Sequence, residues 1–471
     1  MRRVELPVII AGKEIYRSDK IHSFEGMEGP IELAVPEVTI EDLKDLFSAK
    51  EEMNTLPLSE VYSFLEEVGK LWANPEYHLL KEGLDIMGHI SQFSQAELKE
   101  DFGYIPPICS KELFLDNFIS GDFENPKILE DWVERSGSFV KALPKGSFLH
   151  ILAGNVPGVE LMSLARGLVT RNLNILKTAS GNPVSPVYLL KSFIEVDPDH
   201  PITRATSAFR WERKSEIEKY VFSKVENACV WGGAEAVWAT WQYARPGLEI
   251  LDYGPKRSMV FIGKNTLADP EKTAAAAAAL AWDTVTHDQQ ACHSPQVTFV
   301  EGNTETFCEE LGNNLNELAK KYPRGGESID KKSQRSHLRM MSELEGDRVY
   351  HPGNHDWTII VTENFAKTAS SPLGRTMFII PVKSLKDAVE YIDEYTMVAA
   401  FSDRDDIETY KDDVAKRGAD RISEIGKMGL FPPGMPHEGR YDLARLVKFV
   451  SIDAPWPAIV ETGSPAAEVR K

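Results

Sequence analysis

Between residues 140 and 263 the chain alternates short apolar runs with polar or glycine-rich turns and helical stretches, a rhythm few folds accept. The runs are Ser147-Phe148-Leu149-His150-Ile151-Leu152-Ala153, Asn174-Ile175-Leu176-Lys177-Thr178, Ala228-Cys229-Val230-Trp231 and Ser258-Met259-Val260-Phe261-Ile262-Gly263. Gly154-Asn155-Val156-Pro157-Gly158, Ala179-Ser180-Gly181-Asn182-Pro183 and Gly232-Gly233 follow the first three. Such a pattern predicts a doubly wound parallel sheet, with ligands bound at the carboxyl ends of its strands. Asn155, Lys177 and Gly232-Gly233 fall at that edge. The region has no G-x-G-x-x-G, so a bound dinucleotide needs another arrangement.

A second α/β domain is expected over residues 269–429. Asp269-Pro270-Glu271-Lys272 reads as a helix start, and the alanine run Ala274 to Ala279 is strongly helical. Gln296–Val300, Trp357–Val361 and Met377–Val382 read as strands, with helices near 305–322, 385–395 and 407–417. The charged stretch 324–348 reads as a solvated helical face. Residues 1–268 combine an N-terminal helical layer with the first α/β domain, its sheet core lying over about 140–268. In that layer, residues 7–16 form two short strands around an Ala-Gly turn, and Trp72 and Tyr77 are core anchors. Lys141 to Gly146 reads as a turn. Residues 430–471 form a tail that returns to the first domain or to an oligomer interface.

Composition narrows the partners. With 53 basic against 72 acidic residues the net charge is −19, which repels phosphate backbones and anionic lipid. No apolar run approaches the roughly 20 residues of a membrane span. Neither nucleic acid nor a membrane span is expected. The four cysteines, Cys109, Cys229, Cys292 and Cys308, lack C-x-x-C spacing, so no metal site is expected and a reducing compartment is. The first residues lack the sustained apolar core of a secretory signal, and a cytoplasmic location is the reading.

One cysteine has unusual surroundings. Thr286-His287-Asp288-Gln289-Gln290-Ala291-Cys292-His293-Ser294 places Cys292 between two histidines and a run of amides. It lies where the alanine-rich helix gives way to a strand. A covalent nucleophile and an ordinary packed thiol are both open at this point. Protonated His287 and His293 are candidates for lowering the thiol pKa.

The ordered motifs decide between them. His150-Ile151-Leu152-Ala153-Gly154-Asn155-Val156-Pro157, Ile175-Leu176-Lys177-Thr178, Asp197 to Arg204, Val230-Trp231-Gly232-Gly233, Asp288 to Cys292, Pro372-Leu373-Gly374-Arg375 and His437-Glu438-Gly439 run from about Val140 to Val450. In this order they resemble the aldehyde dehydrogenase superfamily. Within it they resemble the long-chain acyl-CoA reductases (fatty acid reductases) of bacterial luminescence systems. The resemblance implies an aldehyde-dehydrogenase-like fold: two doubly wound α/β domains, one cofactor-binding and one catalytic, a helical N-terminal layer and a small oligomerisation element. It implies Cys292 as nucleophile and Asn155 as oxyanion donor together with the backbone N–H of Cys292. Lys177 would bind the adenosine ribose, and Gly232-Gly233 would turn beside the pyrophosphate. The expected partners are a fatty acyl-CoA or acyl-protein substrate, an acyl-protein synthetase subunit and further copies of the chain.

Departures refine the expectation. The superfamily's hydrolytic Glu-Leu-Gly-Gly-Lys is matched by Asp252-Tyr253-Gly254-Pro255-Lys256, and the shorter Asp252 favours thiol transfer over hydrolysis. Ser180 stands where NAD-preferring members carry glutamate, so Lys177, Thr178 and Ser180 are expected to accept the 2′-phosphate of NADPH. Pro372-Leu373-Gly374-Arg375 replaces Glu-x-Phe-Gly-Pro and leaves the nicotinamide ribose without an assigned partner. The expected reaction is reduction of a fatty acyl thioester to an aldehyde through a Cys292 acyl-enzyme. The alternatives are a short-chain CoA-acylating aldehyde dehydrogenase and a cysteine acyltransferase without redox chemistry.

Overall fold

The computed structural model describes residues 2–154, 159–325 and 328–453. Across the first sheet the strands are Glu249–Tyr253, Asn227–Trp231, Ser147–Ile151, Leu173–Lys177, Thr206–Phe209, Val8–Ile10 and Lys13–Ile15. The first five run parallel, and the N-terminal pair closes one edge antiparallel. The chain moves outward from Ser147–Ile151 through Leu173–Lys177 to Thr206–Phe209. It then resumes on the other side with Asn227–Trp231. The crevice of a doubly wound sheet opens where the order reverses, here between Ser147–Ile151 and Asn227–Trp231. Gly154 and Gly232 follow those two strands.

The second sheet runs Arg348–Tyr350, Thr358–Val361, Thr376–Val382, Pro295–Glu301, Arg257–Ile262, Thr396–Phe401 and Arg421–Glu424. All neighbours are parallel except the first pair. Arg257–Ile262, expected above to belong to the first sheet, is central to the second, so the sheet boundary falls before residue 257 and not after 268. Ser258 to Ile262 are all buried, and a strand hidden on both faces carries no sign of which sheet it joins. Helix Pro270–Val285 packs against Glu305–Lys321, with Ala276, Ala277 and Ala281 buried. Its start is as expected: Asp269 accepts from the N–H groups of Glu271 and Lys272.

The N-terminal layer holds helices Leu58–Ala73, His78–Ile90 and Gln95–Phe102, with Trp72 and Tyr77 buried as anchors. It also holds an unforeseen three-stranded sheet of Arg2–Glu5, Gly29–Val35 and Lys20–Gly26. Lys141 to Pro144 is not a turn but the end of strand Ser138–Pro144, paired with Val133–Arg135 and, from the tail, Val447–Ile452. Pairing with a segment at the far end of the chain leaves no local signal. The charged stretch also departs from a solvated face. Helix Ile329–Leu344 turns Arg335 and Arg339 inward, and Arg339 donates to Thr358 Oγ1 at 2.9 Å and to the Asn354 and Trp357 carbonyls. Among the described residues no helix is long and apolar enough to cross a membrane.

Candidate active site

Cys292 sits in a turn between the short 3-10 helix Thr286–Gln289 and strand Pro295–Glu301. His287, Asp288 and Gln289 have φ of 53°, 50° and 61°. Left-handed backbone costs L-residues about 1–2 kcal/mol each, so the approach to Cys292 needs outside support. Asp288 supplies part of it, receiving Arg324 Nε at 2.9 and 3.1 Å and lying 2.7 Å from Arg375 Nε. The Gln289 amide donates to the carbonyls of Pro295 (2.7 Å) and Thr376 (3.0 Å), and its oxygen accepts from the Thr376 N–H at 2.7 Å. Ser258 Oγ then donates to the Cys292 carbonyl at 2.8 Å, tying the turn to the second sheet.

The thiol is half-buried, while Cys109, Cys229 and Cys308 are buried. Burial pushes the Cys292 thiol up to about 12, and the Glu438 carboxylate adds to the shift. The backbone N–H groups of His293 and of Cys292 itself oppose it. The histidines do not acidify it. Burial works against charge on His287, but Asp101, 3.2 Å from its Nδ1, holds its pKa above the ordinary value. Burial keeps His293 neutral, with its ring against His287 and Phe431. Neither imidazole is among the leading influences on the thiol, so adjacency to Cys292 in sequence misleads.

Asp252, on the first sheet, is engaged by other side chains. Arg440 Nη1 donates to its Oδ1 at 2.9 Å and Trp241 Nε1 to its Oδ2 at 3.2 Å. Glu438 lies in the turn that joins His437 to Arg440, which form an antiparallel bridge, and has φ 46°. It is buried at 8% exposure, and burial pushes its carboxyl up to about 8. The His437 ring packs on Trp231 and Tyr253 of the first sheet and on Phe431, which in turn meets His293. The tail thus lies across both sheets. Beside it opens a cavity of about 650 Å³ walled by Phe114, Phe118, Met162, Phe431, Pro432 and Met435. Cys292 is not in that wall; the cavity reaches the site at His437 and Arg440, on either side of Glu438.

The carboxyl edge of the first sheet gathers the other expected residues. Lys177 ends its strand level with Ile151, and Ile151 is level with Val230, just before Trp231-Gly232-Gly233. A Cβ on Gly233 would meet nothing within 4 Å, and Gly233 caps helix Ala234–Trp241, so open space lies over a helix N-terminus. Lys177 Nζ lies 5.5 Å over the Trp211 ring, its charge disfavoured first by burial and then, despite Glu218, by Arg213 and Arg210. Arg210 Nη2 reaches Ser180 Oγ at 3.5 Å. Ser180 is exposed, whereas Thr178 is buried. Asn155 lies outside the described residues. Arg375 is buried in the ion pair with Asp288.

Sequence reasoning missed Glu438, Arg440, Arg210 and Arg213. His437-Glu438-Gly439 was visible as a motif, but its place against Trp231 and Tyr253 of the first sheet depends on the tail folding back. The two arginines belong to no motif, and only the charge density of Arg210-Trp211-Glu212-Arg213-Lys214 marked them.

A half-buried cysteine in the turn leading into one α/β sheet, in a chain that also carries a doubly wound sheet, fits an aldehyde-dehydrogenase-type enzyme. The solved structures agree on the fold. The chain superposes with a TM-score of 0.76 on aldehyde dehydrogenase 21 from Physcomitrella patens, at 13% identity over 97% of this chain and 100% of that one. An Escherichia coli NADP-dependent enzyme gives 0.75 at 15% identity, covering 95% and 98%. The family model "Acyl-CoA reductase (LuxC)" matches residues 53–449, and the chain belongs to that family. A long-chain acyl-protein thioester reductase from Aliivibrio fischeri is 30% identical over 96% of this chain and 94% of its own length.

Proposed function

We propose that the chain reduces a fatty acyl thioester, carried on CoA or on a protein, to a long-chain aldehyde with NADPH. The observation that carries this is the engagement of Asp252 by Arg440 and Trp241, in a chain whose half-buried cysteine is Cys292. A carboxylate engaged in that way does not activate water, so the acyl group leaves Cys292 by reduction rather than hydrolysis. Support for the acyl class comes from the family and from the relative named for long-chain acyl-protein thioesters. The cavity of about 650 Å³ lies within the usual range of small-molecule pockets, and its Phe114, Phe118, Met162 and Phe431 side suits a hydrocarbon chain while charged residues such as Arg166 and Arg421 line the rest.

Cys292 Sγ attacks the thioester carbonyl and expels the carrier thiol, giving an acyl-enzyme. The backbone N–H of Cys292 and, on the strength of the motif Gly154-Asn155-Val156-Pro157 alone, the Asn155 amide are the donors proposed for the developing oxyanion. NADPH supplies hydride when bound, and the resulting thiohemiacetal collapses to aldehyde and free Cys292. The adenosine end suits the cluster of Lys177, Ser180, Arg210 and Arg213: three cations with no carboxylate at residue 180 favour a 2′-phosphate. Gly233 leaves space for the pyrophosphate. The exposed Phe139, Leu143, Phe449 and Ile452 on the tail-paired sheet support assembly of further copies, with an acyl-protein synthetase as the acyl donor's source. The test follows nicotinamide absorbance on mixing protein, NADPH and acyl-CoA from acetyl to tetradecanoyl. Best turnover with long chains is expected. Labelling of Cys292 by acyl-CoA without NADPH oxidation would mean a non-redox acyltransferase, and a short-chain optimum a CoA-acylating aldehyde dehydrogenase.

A further inference from the structure

Arg210 is a half-buried guanidinium with no carboxylate partner among the described residues. Charges withdrawn from water are ordinarily paired, so an unpaired one at a ligand edge points to an anion that completes it. Lys177 is in the same condition, its ammonium over the Trp211 ring and disfavoured by burial. Phe209 stands level with Lys177 on the neighbouring strand, so Arg210 emerges at the same carboxyl edge.

What holds Arg210 comes from the N-terminal sheet. Arg210 Nη1 donates to His22 Nε2 at 3.3 Å, and Nη2 reaches Ser180 Oγ at 3.5 Å. A guanidinium has donors only, so His22 accepts with Nε2 and carries its proton on Nδ1. The imidazole in this contact is therefore neutral. Its surroundings agree: burial, Arg210 and Lys20 all disfavour its protonation, and only Glu212 opposes them. Lys20 and His22 share one face of strand Lys20–Gly26. Lys20 Nζ lies 2.9 Å from Glu212 Oε1 and 3.0 Å from Glu37 Oε1. Alternate side chains of one strand thus grip Arg210 and Glu212 together. Glu212, the carboxylate nearest Arg210 in sequence, is drawn to Lys20 and leaves the guanidinium charge uncompensated.

From this juxtaposition we infer that His22 is a positioning residue for the cofactor's 2′-phosphate, holding Arg210 at the Lys177–Ser180 edge without neutralising it. The inference rests on the NADPH reading. A carboxylate in place of His22 would pair with Arg210 and repel the phosphate. An alkyl side chain would leave a long, rotamer-rich side chain to be ordered at the moment of binding. A neutral acceptor does neither: it fixes the guanidinium and leaves its charge, and its other N–H groups, for phosphate oxygens.

The experiment uses the protein and nucleotide alone. Calorimetry compares adenosine 2′,5′-bisphosphate with adenosine 5′-monophosphate, which lacks the 2′-phosphate. Wild type should bind the bisphosphate more tightly. His22→Ala should cut that preference about three- to tenfold, as for the loss of one hydrogen bond, with affinity for the monophosphate unchanged. His22→Gln, whose amide oxygen replaces the Nε2 acceptor, should keep the wild-type preference, and His22→Glu should abolish it. A His22→Ala preference equal to wild type, an equal loss with both nucleotides, or a His22→Gln that falls as far as His22→Ala overturns the inference. If His22→Ala does not melt cooperatively, an unchanged preference in His22→Glu does so. A wild type that binds both nucleotides equally removes the NADPH reading and this inference with it. A wild-type preference that survives His22→Ala removes the inference alone.

Discussion

Arg375 Nε lies 2.7 Å from Asp288 Oδ1, and both residues are buried. The pair joins two left-handed stretches, 287–289 and 373–375, each with three consecutive positive φ values. Arg375 also donates to the Tyr322 carbonyl at 2.8 Å, and Arg324 shares Asp288. The stretch that replaces the superfamily's Glu-x-Phe-Gly-Pro is thus a brace for the Cys292 loop. Removing one partner of a buried pair leaves the other charge uncompensated, at about 3–5 kcal/mol. Asp288→Asn takes the shared carboxylate from two buried guanidinium groups, of which Arg375 keeps Glu97 at 3.3 Å, so its urea midpoint should fall. A midpoint equal to wild type would mean the loop needs no such brace.

The second prediction concerns the cofactor. Arg210 approaches Ser180 and acts on the charge of Lys177, so it belongs to the cluster that would meet a 2′-phosphate. Charged hydrogen bonds are worth about 1.5–3 kcal/mol, or roughly ten- to a hundredfold. Arg210→Ala should raise KM for NADPH by that factor while leaving KM for NADH nearly unchanged. Equal losses with both dinucleotides would remove Arg210 from phosphate recognition.

Much of this site could be read before any coordinates. Ser147–Ile151, Leu173–Lys177 and Asn227–Trp231 show as apolar runs with polar turns, and their ends place Lys177 and Gly232-Gly233 at one edge. Arg257–Ile262 was legible as a strand but not as a member of the second sheet, because a strand buried on both faces has one pattern in either. Ser138–Pro144 was hidden because its partner, Val447–Ile452, comes from the tail. Cys292 stood out from its motif, yet the partners of its neighbours did not: His287 meets Asp101 of the N-terminal layer, and His293 meets Phe431 of the tail. Chemistry carried by contiguous residues is legible. Chemistry assembled by long-range packing is not.

Cys292 is the half-buried thiol, whereas the other three are enclosed. Cys292→Ser should abolish both acyl labelling and turnover, by orders of magnitude as for other lost nucleophiles. A serine hydroxyl in the same turn ionises far less readily. NADPH binding, followed by quenching of tryptophan fluorescence, should survive, since Lys177 and Gly233 lie on the other sheet. Persistent labelling of the serine variant would place the acyl group elsewhere.

The pH dependence of stability follows from three buried carboxyls. Burial raises Glu97 to about 7, Asp283 to about 7 and Glu438 to about 8, from ordinary values of 4.5, 3.8 and 4.5. Between those limits the folded chain holds protons that the unfolded chain has released. Stability therefore falls as pH rises, by linkage. The contribution is complete below about pH 4 and is lost as pH climbs through 7 to 8. His287, raised by Asp101 in spite of its burial, acts in the same direction. Buried His150, His293 and His437, held below their ordinary values, act the other way only up to about pH 6.5, so the melting temperature should decline from pH 7 to pH 8.5. Glu438→Gln removes one of the titrating groups, so its decline should be shallower, with its greatest advantage over wild type at pH 8.5. A wild-type melting temperature that climbs across this interval would mean that these carboxyls are ionised in the folded chain.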